Sequence, residues 1–179
     1  MHNAANYMSP IMTFLQKLSA YSLGFITDKD LPDVAMTGLE EGYDSESLRI
    51  LAGLTTTENS FLLNDYFGRT LKELRLSLND RKEILKNVVA FYAKNIVDKK
   101  VDTYLEFEKL NEIINKTEFH CDDLGLMSCY ADYISIWEEK TGGLDFHSAE
   151  KITKEKYIEK TEESIRKHLQ EWLIVYGGM

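Results

Sequence analysis

Ligand-type side chains are densest at His120-Cys121-Asp122-Asp123. Imidazole, thiolate and carboxylate are the donors that hold zinc and related ions. A metal needs convergent donors, and consecutive residues on a turn point in different directions. The quartet therefore reads as a polar turn, with Asp122 or Asp123 capping the next helix, and no metal ligand is assigned. The other histidines carry less. His2 lies at the terminus. His147, near Asp145 and Glu150 after a glycine pair, reads as surface loop. His168 has Glu171 three residues on, an ordinary surface pair on a helix, and Ser164 four residues back is no acid.

Carboxylate-bridged di-metal chemistry places Glu three residues before His on two helices. None of the four His has that neighbour. Glu108 and Glu112 stand at i, i+4, where exposed acids repel and stay solvated. No GxGxxG, GxxxxGK[ST], nucleophile elbow or HExxH occurs. No catalytic residue and no cofactor site is assigned, and the chain leans away from an enzyme. A small-ligand site would have to use Tyr43, Asp44 and Arg49.

Helices must position these groups. Ile11, Phe14, Leu15, Leu18 and Tyr21 recur at helical spacing after Ser9-Pro10 and before Gly24. Pro32 suits a first helical turn with Asp30 as N-cap, and Gly42 suits the left-handed position that ends it. Asp44-Ser45 starts a second short helix with Leu48, Leu51 and Ala52 inward, ended by Gly53. A DNA-reading helix-turn-helix is disfavoured here, since the second helix offers Glu46 and a single Arg, Arg49.

Glu58 to Leu78 reads as one helix with Leu63, Tyr66, Phe67, Leu71, Leu74 and Leu78 on a face, and Gly68 as a point of close helix approach. Asp80 with Glu83 forms a capping box for the next. Asp102 caps a helix with Leu110, Ile113 and Ile114 inward and Glu106, Glu108 and Glu112 outward. Leu124 to Lys140 reads as a further helix, with Met127, Tyr130, Ala131, Ile134 and Trp137 in step, broken by Gly142-Gly143. The last helix runs Thr153 to Tyr176, its apolar stripe thinned by Thr161 and Glu162. No β alternation is found. The expectation is an all-α, single-domain irregular bundle of about eight helices over 1–179, with 1–8 frayed.

The stretch GLEEGYDSESLRILAGL, residues 38–54, resembles a segment of an uncharacterised family of small helical bacterial proteins. The resemblance implies a helical fold and a bacterial source, and attaches no activity.

Composition narrows the function classes. The chain has 179 residues, 44% hydrophobic and 28% charged, long enough for a full core. The segment from Ile11 to Ile26 is broken by Gln16, Lys17 and Ser19, so it reads as neither signal peptide nor membrane span. Cys121 and Cys129 fit no zinc pattern and make a poor disulfide, so both read as reduced and the expected location is the cytoplasm. Net charge is −9, and residues 101–150 alone carry twelve acidic and three basic groups. Such acidity disfavours nucleic acid and anionic membrane, and favours a basic protein partner.

That segment also holds Tyr104, Phe107, Tyr130, Tyr133 and Trp137, and aromatics anchor interfaces while acids steer. The expected contact residues are Glu106, Glu108, Glu112, Asp122, Asp123, Glu138 and Glu139. The function expected is a binding or regulatory module, in its specific form an immunity-type inhibitor of a basic toxin. The alternative is self-association into a homodimer, through Ile152, Tyr157 and Ile158 of the thinned stripe.

Overall fold

The computed structural model describes residues 11–177. Most of its helices begin where a side-chain oxygen takes up a backbone N–H that the helix itself leaves free. Thr13 does this for α1 (Phe14–Ser22), Ser45 for α3 (Glu46–Gly53) and Asn59 for α4 (Ser60–Glu73). Asp102 does it for α6 (Thr103–Asn115), and Thr153 for α9 (Lys154–Tyr176). Between them lie α2 (Leu31–Glu40), α5 (Arg81–Val97), α7 (Met127–Thr141) and the single turn α8 (Phe146–Ala149). Among the described residues there is no strand. Over the described residues the protein is an all-α bundle of about eight substantial helices, as its periodicity predicts. No described helix is long and apolar enough to cross a membrane.

The chain divides within α5 into two compact units, residues 11–88 and residues 89 onward. In the first, α2 packs on α1 and α3, and α3 on α4. Phe14, Leu18, Leu31, Val34, Leu48, Leu51 and Leu63 form its core. In the second, α7 lies along α9, and α6 and α8 pack on both. Phe107, Leu110, Ile114, Leu124, Ile136, Ile165 and Leu169 are buried there.

Several local expectations change. The expected start at Ser9-Pro10 and the frayed segment 1–8 lie outside the described residues; within them, Thr13 and Gln16 close a capping box. Asp30 does not cap α2. Its carboxylate accepts the Thr27 N–H and hydroxyl, closing the short 3-10 turn Asp28–Asp30 instead. The helix at Ser60 stops at Glu73 rather than Leu78, because Arg75 turns left-handed at φ 55° and Leu76 N–H returns to the Leu71 carbonyl. Close helix approach falls at Gly38, whose Cα faces the Phe14 ring, whereas nothing lies within 4 Å of a Cβ built at Gly68. Along α9 the thinned stripe is closed: Tyr157 and Thr161 are buried, and the Thr161 hydroxyl donates to the Tyr157 carbonyl.

Candidate partner-binding surface

On α6 the core positions are Tyr104, Phe107, Leu110 and Ile114. Glu106 falls on the same side. It is 7% exposed, and its Oε2 accepts from Lys109 Nζ at 2.9 Å. That hydrogen bond, with the charge behind it, raises the Lys109 ammonium above its ordinary value. Glu106 therefore does not face out as the sequence predicts. Packing of the apolar residues on either side turns it inward, and Lys109 neutralises it.

Glu108 is half-buried. Its Oε1 accepts the hydroxyls of Tyr104 at 3.4 Å and Tyr133 at 3.3 Å, whose rings stack 5.2 Å apart. Lys140 Nζ stands 3.6 Å over the Tyr104 ring. Burial first, then the Glu108 charge, pushes the Tyr104 phenol up; burial also leads for Tyr133. Of the three α6 acids only Glu112 is exposed.

The turn into α7 has a fixed shape. Asp123 accepts the His120 N–H at 2.8 Å, Gly125 takes φ 72°, and Leu126 N–H reaches the Cys121 carbonyl at 2.7 Å. Cys121 points inward with its sulfur 3.6 Å from Asn111 Oδ1, while His120, Asp122 and Asp123 are exposed. Between α6 and this turn lies a groove of about 280 Å³. Asn111 and Asn115 line one side, and His120, Cys121, Asp122, Met127 and Tyr130 the other.

The buried face of α7 is Cys129, Tyr133, Ile136 and Glu139. The stripe predicted to face inward lies largely on the other side. Met127 is 53% exposed and Trp137 42%, Ala131 is exposed, and Tyr130 and Ile134 are half-buried. Of the two α7 acids in the predicted contact set, Glu138 is half-buried and Glu139 is 3% exposed. The Glu139 Oε2 accepts the N–H groups of Phe146 at 2.9 Å and His147 at 3.2 Å, and its Oε1 meets His147 Nδ1 at 2.7 Å. Burial pushes its carboxyl up, but these bonds together outweigh burial and hold it below the ordinary range. Glu139 is thus an internal cap of α8 and no outward contact.

Arg49 forms a two-point ion pair with Asp44 at 2.6 and 2.7 Å, and Tyr43 packs on Phe14 with ring centroids 4.8 Å apart. His168 lies 3.8 Å from Glu171, and also 3.8 Å from Asp132 of α7, a neighbour that sequence spacing does not show. His147 pairs with Asp145 at 2.9 Å and with Glu139, while Glu150 is taken by Lys160. Among the described residues, Glu139, Asp145 and His147 are the one group whose ligand atoms converge as a metal would need. Both cysteines are free and buried, and burial pushes the Cys121 thiol up to about 11 and the Cys129 thiol up to about 12. Neither has the depressed pKa of a nucleophile. No family model, curated protein or solved structure matches this chain.

Proposed function

We propose that the protein is a binding module for a basic partner protein, received on the outward side of α7 and the groove beside it. The observation that supports this reading is the α7 stripe. Met127, Tyr130, Ala131, Ile134 and Trp137 share one helical side, and Met127, Ala131 and Trp137 are exposed. An exposed tryptophan on an apolar stripe is the residue type that most often anchors an interface. The acids of the contact set that remain exposed, Glu112, Asp122 and Asp123, give the segment its negative field. The contact set is accordingly narrower than the acids of the sequence, and apolar at its centre.

The specific form proposed is an immunity-type inhibitor, in which carboxylates occupy the place of phosphates on a basic toxin. Self-association through the start of α9 and the residues just before it is the alternative. It rests on Ile152 and Ile158, both half-buried, since Tyr157 is stacked on Phe146 with centroids 5.7 Å apart.

The test is capture from source lysate at low and then moderate salt, followed by affinity measurements on the retained partner. One basic protein held in stoichiometric amount is expected. Its affinity should fall by at least about tenfold for Trp137→Ala and for the pair Glu112→Lys with Asp122→Lys. The charge-reversed pair should also lose most of the salt dependence. Unchanged affinity in both variants overturns the reading, and a concentration-dependent dimer by light scattering with no partner retained favours the alternative.

A further inference from the structure

We propose that Glu139, Asp145 and His147 form a site for a divalent transition-metal ion of the zinc type, with three protein ligands and a coordination position open to solvent. The fold assembles this group independently of the surface described above. Gly142, at φ 78°, ends α7 in the left-handed conformation that glycine tolerates, and the chain doubles back so that α8 begins against the last turn of α7.

The donor atoms are His147 Nδ1 and one carboxylate oxygen each from Glu139 and Asp145, all within 4.8 Å of one another. Two of the three are fixed by bonds that an ion need not supply. Glu139 is anchored through Oε2 by two backbone N–H groups, which leaves Oε1 turned to the imidazole. Asp145 is held as the cap of α8 by the Ser148 N–H at 3.1 Å.

One imidazole nitrogen with two carboxylate oxygens is a donor set for zinc and its first-row neighbours, whereas magnesium and calcium take oxygen alone. An imidazole binds a metal in its neutral form, so the two carboxylates supply the two negative charges that a divalent cation balances. Glu155, from α9, adds to the negative field around His147, and Lys154 offsets part of it. Zinc bonds of about 2.0–2.2 Å set tetrahedral ligands roughly 3.3 Å apart. His147 Nδ1 is 2.7 and 2.9 Å from its two oxygens, so the ligands must part by about half an ångström. The His147 ring, whose side chain is 30% exposed, makes that adjustment, while Glu139 at 2% and Asp145 on the Ser148 N–H keep their places. The exposure of His147 and Asp145 also opens the fourth position to water.

Both oxygens facing Nδ1 belong to carboxylates and only accept, so without an ion a proton on Nδ1 bridges them. A metal replaces that proton: a neutral imidazole moves it to Nε2, and an imidazolium releases one proton to solvent. No bond to carbon changes and no electron is transferred.

The test is zinc chloride titrated calorimetrically into the chelator-stripped full chain, with cobalt(II) as a spectroscopic probe of the ligands. One equivalent is expected to bind, with magnesium chloride unable to displace it. His147→Ala and Asp145→Asn should each weaken zinc by at least about tenfold and remove the cobalt ligand-field bands. Asp145→Asn keeps the oxygen that caps Ser148, so circular dichroism should show the native helix content. Zinc held by the cysteines or the surface acids is untouched by either substitution. No uptake by the native chain, or native affinity in either variant, overturns the proposal.

Discussion

The ring of Phe14 in α1 closes on the Cα of Gly38 in α2, so that a methyl group there would come within 2.9 Å of two ring carbons. Phe14 is 1% exposed and has no room to retreat. Overpacking of this kind costs about 1–3 kcal/mol, and the helix gains about 1 kcal/mol when Gly becomes Ala. Gly38→Ala should therefore destabilise the protein by about 1 kcal/mol. Gly68→Ala, inside α4 with open space around it, should stabilise by about 0.5–1 kcal/mol. Urea unfolding of both variants checks the contrast, and Phe14→Leu should remove the penalty at Gly38 in a double-mutant cycle.

Glu73, the last residue of α4, accepts the Ser47 hydroxyl at 2.6 Å and the Ser47 N–H at 2.9 Å, tying α4 to the first turn of α3. The Ser47 hydroxyl and then its N–H hold the Glu73 carboxyl below its ordinary value of 4.5. A depressed folded value means the unfolded chain takes up the proton more readily. The contribution is complete above the ordinary value and is lost as pH falls through the folded one. Glu73→Gln should lower Tm near neutral pH, and the gap to the native chain should close under acid. A gap that persists at low pH contradicts the assignment.

Burial decides the behaviour of both thiols. With Cys121 up to about 11 and Cys129 up to about 12, the thiolate fraction at mildly alkaline pH falls at least about a hundredfold below that of an ordinary thiol. Alkylation of the native protein should be slower than that of the urea-unfolded chain by at least this factor. The rate should track global unfolding when stability is titrated with denaturant.

Two acids of α6, spaced six residues apart in sequence, should respond oppositely. Glu112→Ala, at an exposed position, should change stability by no more than about 0.5 kcal/mol. Glu106→Ala should lower Tm clearly, since it strips Lys109 of its partner and opens space among buried residues. Thermal unfolding of the two single variants under identical conditions makes the comparison.

Much of the fold was legible because it is local. Ser45, Asp102 and Thr153 cap helices as their residue types imply, since a short oxygen-bearing side chain reaches the N–H groups just ahead of it. Gly42 and Gly142 turn left-handed where the helical pattern stops. The end of α4 was not legible: Arg75 adopts a conformation its type disfavours, held by the Leu76 N–H on the Leu71 carbonyl.

By itself the sequence determined that the chain is helical, where most helices begin, and that residues 101–150 concentrate negative charge. Tertiary structure alone decided which of those charges face water and which side of α7 faces in. Apolar residues occupy two sides of α7, Met127-Tyr130-Ile134-Trp137 and Cys129-Tyr133-Ile136, so helical period marks both and chooses neither. The choice rests on α6 and α9, which pack on α7 and bury the second set. Likewise no spacing rule brings Glu139 to His147. Their meeting depends on the reversal at Gly142 and on the backbone N–H groups of α8 that the carboxylate must satisfy.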